Sequence, residues 1–118
     1  MKLIWKAQIK IPDGSHQGEI VRVEYRDQPF SYTDLVLKLN DVEGAEITYG
    51  CPSVLTPTSK LGTVMQLFGS KFEVGAETDP SILIGKKCTF MTINKKSKKN
   101  PAQEYAEVVS ESLKPLVA

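Results

Sequence analysis

Apolar and polar residues alternate along the first part of the chain. Every second residue from 3 to 11 is apolar, while lysine or glutamine dominates the positions between them. A period of two indicates a strand with one buried face. Residues 1–11 are therefore predicted to form an N-terminal strand with Trp5 on its apolar face. The turn residues Pro12-Asp13-Gly14 end this pattern.

Similar alternation predicts five more strands, at residues 18–25, 33–39, 45–51, 86–93 and 103–109. Their expected inner faces include three regular triplets: Val21, Val23 and Tyr25; Leu35, Leu37 and Leu39; Ile47, Tyr49 and Cys51. Residues 71–85 read as irregular, with a short strand or turn around Asp79-Pro80-Ser81. Residues 110–118 form a C-terminal tail that is expected to pack back on the sheet.

One segment, residues 58–69, has the pattern of a helix. Its apolar residues follow the i, i+3, i+4, i+7 spacing of a single helical face: Leu61, Val64, Met65 and Phe68. Thr58 or Ser59 can cap its first turn, and Gly69 is well placed as a left-handed stop. We expect about three turns, since Gly62 lowers the helix propensity.

These elements predict a single domain over residues 1–118, mainly β. Five strands with one helix between the third and fourth resemble the OB-fold over residues 18–109, with the N-terminal strand as an addition. The span from Pro52 to Gly69, where Ser59-Lys60-Leu61-Gly62 opens the helix, is also similar to small single-stranded-DNA-binding proteins of phages and prophages. The resemblance implies a five-stranded barrel. An SH3-like barrel is the competing fold, but it lacks such a helix.

Similarity to OB-fold binders implies a site across strands 2 and 3, between the loops at residues 26–32 and 95–102. Binding of a single strand needs cations for phosphates and flat rings for bases. The candidate residues are Arg26, Phe30, Tyr32, Lys38, Lys95, Lys96, Lys98 and Lys99. The lysines could instead be a solvated hairpin tip, and the two rings could fold onto the core. Exposed rings would favour stacking.

Charge supports the first interpretation. Of 15 basic and 14 acidic residues, six lysines and no acid lie within residues 86–99. The other 104 residues then hold nine basic and fourteen acidic groups, a net charge of −5. This segregation predicts a positive patch on an otherwise acidic protein.

The remaining features predict no chemistry. His16 lies in a turn and is expected at the surface, and one histidine with two separated cysteines makes no zinc pattern. Cys51 and Cys88 are expected to be buried free thiols. We expect no cofactor, no catalytic residue, no membrane segment and a cytoplasmic location. The resulting hypothesis is a non-enzymatic single-stranded DNA-binding protein of replication or recombination, with RNA as a close variant. The alternative is a protein-interaction or assembly module whose N-terminal strand pairs with another subunit.

Overall fold

The computed structural model describes residues 1–5, 10–99 and 104–116 of the 118-residue chain. Its strands are β1 (Gly14–Arg26), β2 (Tyr32–Leu39), β3 (Glu46–Pro52), β4 (Lys87–Lys96), β5 (Glu104–Val108) and β6 (Lys114–Pro115). One helix, α1 (Lys60–Leu67), lies between β3 and β4, and a short 3-10 helix spans Pro80–Leu83. The protein is therefore mainly β, with the single helix in the predicted place.

All six strands belong to one antiparallel sheet. The order is β3-β2-β1-β4-β5, with β6 pairing with β4 beside β5. The expected barrel is not closed: β3 and β5 approach within 8 Å at some Cα atoms, yet the described residues form no ladder between them. Near this gap, the Glu111 amide donates a hydrogen bond to the hydroxyl of Tyr49 in β3 over 3.3 Å.

The long strand β1 joins the two halves of the sheet. Its first residues pair with β4 from Gly14 to Glu19, and its later residues pair with β2 from Gly18 to Arg26. The register with β2 shifts between Ile20 and Arg22, as a β-bulge produces. Val21 is half-buried and Arg22 and Glu24 are exposed, as predicted, and the prediction is wrong at Tyr25. Ile20 is fully buried and Val23 half-buried, whereas Tyr25 is 60% exposed.

The core confirms the other alternating patterns. Leu35, Leu37, Leu39, Ile47, Tyr49 and Cys51 are all buried, together with Ile20, Leu83, Phe90 and Leu113. Both cysteines are buried and free, as expected. Leu113 shows that the C-terminal tail does pack back on the sheet, and β6 extends that packing by pairing with Cys88 and Thr89.

Helix α1 packs its predicted face on the core. Leu61, Val64 and Met65 are buried and Phe68 is half-buried. Ser59 caps the N-terminus, since its hydroxyl accepts the Gly62 amide at 3.0 Å. The helix is shorter than expected, eight residues instead of twelve, because residues 56–59 form a capping turn and the chain leaves the helix at Phe68. Gly69 follows with a left-handed φ of 104°.

The N-terminal strand is the prediction that fails. Residues 1–5 and 10–11 are in no strand, and residues 6–9 lie outside the described part of the chain. Trp5 is fully exposed. Alternation shows which face of a strand would be buried, but not which strand it would pair with. The following strand β1 has no free edge, because it pairs with β2 on one side and β4 on the other. Only Ile11, at the end of this segment, joins the core.

The remaining boundaries shift by a few residues. β5 ends at Val108 and starts at Glu104, and residues 100–103 and 117–118 lie outside the described chain. The turn expected near Asp79 is the start of the 3-10 helix, where the Asp79 carboxylate accepts the Ser81 amide at 2.9 Å. Within the described residues, no helix is long and apolar enough to span a bilayer.

A substitution at Gly62 tests the packing of α1. Gly to Ala inside a helix normally stabilises by ~0.5–1 kcal/mol. Here a Cβ would lie 1.7 Å from the Thr56 carbonyl oxygen, so Gly62→Ala should destabilise the protein, measured by urea unfolding. Thr63→Ala in the same turn is the control and should be neutral or stabilising. A stabilised Gly62→Ala variant would show that residues 56–59 do not pack on the helix.

The two thiols give a prediction on pH. Burial raises the pKa of Cys51 to about 11 and that of Cys88 to about 12, from an ordinary value of 9.0. Since the thiolate is the reactive form, neither should react with iodoacetamide at pH 8 until the protein unfolds. A raised folded pKa favours folding below pH 9 and loses that contribution as pH rises towards 11 to 12. Rapid labelling of the native protein would contradict the burial of both groups.

Candidate nucleic-acid interface

The outer face of β1, β2 and β3 is where an OB-fold would bind its ligand. The Arg26 guanidinium donates two hydrogen bonds to Asp34, one of them 3.0 Å long to Oδ1, and lies 4.7 Å above the Tyr32 ring. Asp34 is only 6% exposed, and a Cβ at Gly50 would come within 3.1 Å of its carboxylate. The absent side chain at position 50 thus makes room for this cluster. The two predicted site residues Arg26 and Tyr32 therefore contact each other, and Arg26 is also paired with an acid.

A second group of ion pairs covers the adjoining part of this face. Arg22 donates to Glu46 at 2.8 and 3.1 Å and to Glu24 at 3.1 Å. These bonds from Arg22 lower the pKa of Glu46, and the charge of Lys38 lowers it further. Every predicted cation on this face therefore lies beside a carboxylate. A phosphate would have to compete with those acids.

The loop between β1 and β2 exposes one of its two predicted rings. Phe30 is 71% exposed, whereas Tyr32 is half-buried beneath Arg26. Tyr25 is also exposed, and its hydroxyl donates to Asp79 over 3.3 Å. The loop thus offers Phe30 as its free flat surface, at the end of β1.

A different surface combines one aromatic ring, apolar groups and lysines. On the outer face of β4 and β5, Met91, Ile93 and Tyr105 are each 42–48% exposed and Val109 is 37% exposed. Tyr105 lies directly across the ladder from Lys95. Lys87 is the first residue of β4, and Lys114 in β6 pairs with Thr89. We call this surface, from Lys87 to Lys95 with Tyr105 and Val109, the β4 face. Sequence reasoning found its lysines and missed its apolar centre, although alternation at residues 91, 93 and 95 marks these side chains as sharing one face.

The predicted lysine cluster continues from the β4 face. Lys95 bonds to Glu107 at 3.1 Å, while Lys96 is the last residue of β4 and lies across from Glu104. Lys98 and Lys99 are exposed in the following loop, and within the described residues neither has a polar partner. Residues 100–102 of the predicted loop lie outside the described chain. The positive charge expected from the sequence is therefore at the surface.

The two predicted loops lie at opposite ends of β1. Arg26 is the last residue of that strand, whereas the first residue, Gly14, pairs with Thr92 just before the lysines of β4. Twelve residues at ~3.3 Å each put up to about 40 Å of strand between the two ends, less where the strand bends. Phe30 and Lys98 thus follow opposite ends of β1.

The histidine predicted at the surface is instead buried. His16 is 4% exposed in β1, where Nδ1 lies 2.8 Å from the Asp41 carboxylate and Nε2 lies 2.8 Å from the Pro12 carbonyl oxygen. The turn ends at Asp13, so His16 already belongs to a strand whose inner face it shares with Gly18 and Ile20. Asn94 Nδ2 holds the same segment through the Ile11 carbonyl at 2.8 Å. His16 thus ties the chain entering β1 to the turn after β2.

His16 also lies within hydrogen-bond distance of a hydroxyl. An acid, a histidine and a hydroxyl therefore contact one another in the same order as in a catalytic triad. Thr92 Oγ1 lies 3.0 Å from His16 Nε2, opposite Asp41. The hydroxyl is a poor nucleophile candidate because Thr92 is 3% exposed and its own proton points to the Pro12 carbonyl oxygen, 2.9 Å away. The contacts of His16 with Pro12, Asp41 and Thr92 thus have a structural role, and we call them the clasp.

No protein-family model matches the chain, and no curated protein is significantly similar to it. Among the described residues, no three His, Cys, Asp or Glu side chains are grouped to hold a metal ion.

The clasp gives a direct prediction. His16→Ala removes a buried ring and leaves the Pro12 carbonyl oxygen with one donor fewer, so the free energy of unfolding should fall by about 2–4 kcal/mol. Gln17→Ala, the exposed neighbour on the same strand, is the control and should change it by less than about 0.5 kcal/mol. Urea unfolding compares them. Equal stability of the two variants would show that the clasp contributes nothing.

Proposed function

We propose that this protein binds single-stranded DNA, without catalysis, and that the strand lies along the β4 face and the lysine loop beyond it. The observation that carries the proposal is the β4 face, where exposed Met91, Ile93 and Tyr105 lie between Lys87 and Lys95. Lys96, Lys98 and Lys99 follow directly along the chain. Single-strand sites combine these two features, since lysines contact phosphates and rings stack with bases. RNA offers the same chemistry, and the binding assay below should include both.

Charge favours the β4 face over the outer face of β1 to β3. Around Arg22 and Arg26, three carboxylates already occupy the guanidinium donors. On the β4 face Lys95 is paired with Glu107, but among the described residues no hydrogen bond or ion pair joins Lys96, Lys98 or Lys99 to an acid. A phosphate gains most from a cation that it need not share with an acid, because each neutralised phosphate releases condensed counterions.

The topology supports the same class of protein. The strand order β3-β2-β1-β4-β5 with a helix after β3 would give a five-stranded barrel if β3 and β5 closed, and an OB-fold is itself a partly open barrel. The proposed path differs from the usual one in that class, which crosses strands 2 and 3. Here the usual path is covered by ion pairs.

Salt dependence tests the phosphate contacts. Replacing Lys96, Lys98 and Lys99 by alanine should weaken binding of a labelled oligothymidylate and flatten the slope of log affinity against log salt by up to about 2, at ~0.7 per phosphate. The matched control replaces Lys10, Lys38 and Lys71, which removes the same charge elsewhere. Fluorescence anisotropy at several salt concentrations measures both. Equal losses would mean that net charge alone determines binding, against a site on the β4 face.

Aromatic substitutions locate the bases. Tyr105→Ala should cost ~1–3 kcal/mol of binding free energy if one base stacks there, with the salt slope nearly unchanged. Phe30→Ala, in the loop at the other end of β1, should cost less. The reverse order would put the bases on the loop and the outer face of β1 to β3. Absence of binding by the wild type near physiological salt would reject the function and leave the assembly module as the remaining hypothesis.

A further inference from the structure

The beginning of the chain, residues 1–5, is an exposed and largely apolar segment. Leu3 and Ile4 are 85% and 86% exposed, and Trp5 is fully exposed. The same stretch is basic, with lysines at positions 2, 6 and 10 and no acid before Asp13. Three adjacent large apolar side chains in water are unusual for a surface without a partner. We call residues 2–5 the arm.

The structure also contains an open cavity with a partly apolar lining. It measures about 580 Å³ and lies between the connection from β3 to α1, the end of α1, and residues 70–78. Leu55, Met65, Phe72 and Val74 supply its apolar lining. Phe72 and Val74 are 58% and 85% exposed. Cavities of roughly 300–1,000 Å³ hold ligands of several side groups, so this one has room for a large ring and an aliphatic neighbour.

The charges of arm and cavity are opposite. Glu73 and Glu77 line the cavity with one lysine, Lys71, and Asp79 follows immediately. The acidic rim of the cavity and the basic, apolar arm are therefore complementary in charge. We propose that the arm of one copy binds in the cavity of a second copy, with Trp5 as its anchor and Lys2 beside the acidic rim.

The path of the chain favours a second copy over the arm's own cavity. Ile11 is fixed near Gly14, at the start of β1, by Asn94. The cavity begins in the connection after Pro52, which pairs with Tyr32 at the far end of β1. The six residues from Ile11 to Trp5 extend ~20 Å at most, about half of the strand length between those ends.

Trp5 is the single tryptophan of the chain, so its fluorescence reports on the arm alone. With rising protein concentration, its emission should shift to shorter wavelength and become shielded from iodide, in step with a doubling or further increase in mass by sedimentation. Emission typical of exposed tryptophan in a monomer at every concentration would overturn the proposal. A shift independent of concentration would also overturn it, since the arm would then fill its own cavity.

Variants identify the cavity. Val74→Asp changes an exposed side chain and should raise the dissociation constant at least tenfold, while Ile82→Asp, 52% exposed outside the cavity, should not. Glu73→Lys with Glu77→Lys should weaken association, and Lys2→Glu should restore part of it. Association that survives Val74→Asp would place the contact elsewhere. Mixing Trp5→Ala with Val74→Asp protein should give a 1:1 complex, because one intact arm then meets one intact cavity.

Discussion

The fold depends on the close passage of two strands at Gly18. This residue pairs with β2 and β4 at once, opposite Leu39 on one side and Cys88 on the other. A Cβ there would lie 2.2 Å from the Lys38 carbonyl oxygen and 3.3 Å from the Phe90 ring. Any side chain would push apart the two halves of the sheet at the point where β1 passes from one to the other. Only glycine allows both ladders and the packing of Phe90 beneath them.

The bulge that follows Gly18 determines which surfaces are available for binding. By inserting one residue between Ile20 and Arg22, it turns Arg22 and Arg26 to the outer face, where Glu46 and Asp34 hold them. The face that resembles an oligonucleotide site by position is thus the face where charges cancel. Before the bulge, β1 places uncharged polar side chains such as Ser15 and Gln17 next to the β4 face. Arg22 and Arg26 are therefore paired with acids on one face. The β4 face combines one ion pair, Lys95 with Glu107, with the exposed ring of Tyr105.

The sequence was a good guide where one face of a strand is buried. Leu35, Leu37 and Leu39 could be assigned to the core because their alternation is uninterrupted, and the spacing in α1 identified its buried face. Alternation fails where one strand gains an extra residue, as at the bulge. It also does not reveal which strand a segment could pair with, and the described residues 1–5 and 10–11 are in no strand. His16 was misplaced for a related reason. Two of its three polar partners, Asp41 and Thr92, lie 25 and 76 residues away in the sequence, and no local pattern reveals contacts over such separations. The lysine cluster was visible in the sequence, but the apolar strip beside it depends on the pairing of β4 with β5.

The separation of charge also links the two proposals. An arm that binds in the cavity of another copy makes a head-to-tail contact, which either closes into a ring or continues into a chain of subunits. The contact would use the basic arm and the acidic segment around Glu73, so it would leave the lysines of the β4 face free on every subunit. Such a chain would present one basic surface after another to a single strand, and each bound subunit would favour the next. Cooperative binding of this kind is common among single-strand binders. It would vanish in Trp5→Ala protein while the affinity of an isolated subunit for a short oligonucleotide stayed the same, because Tyr105 and Lys98 are not part of the contact.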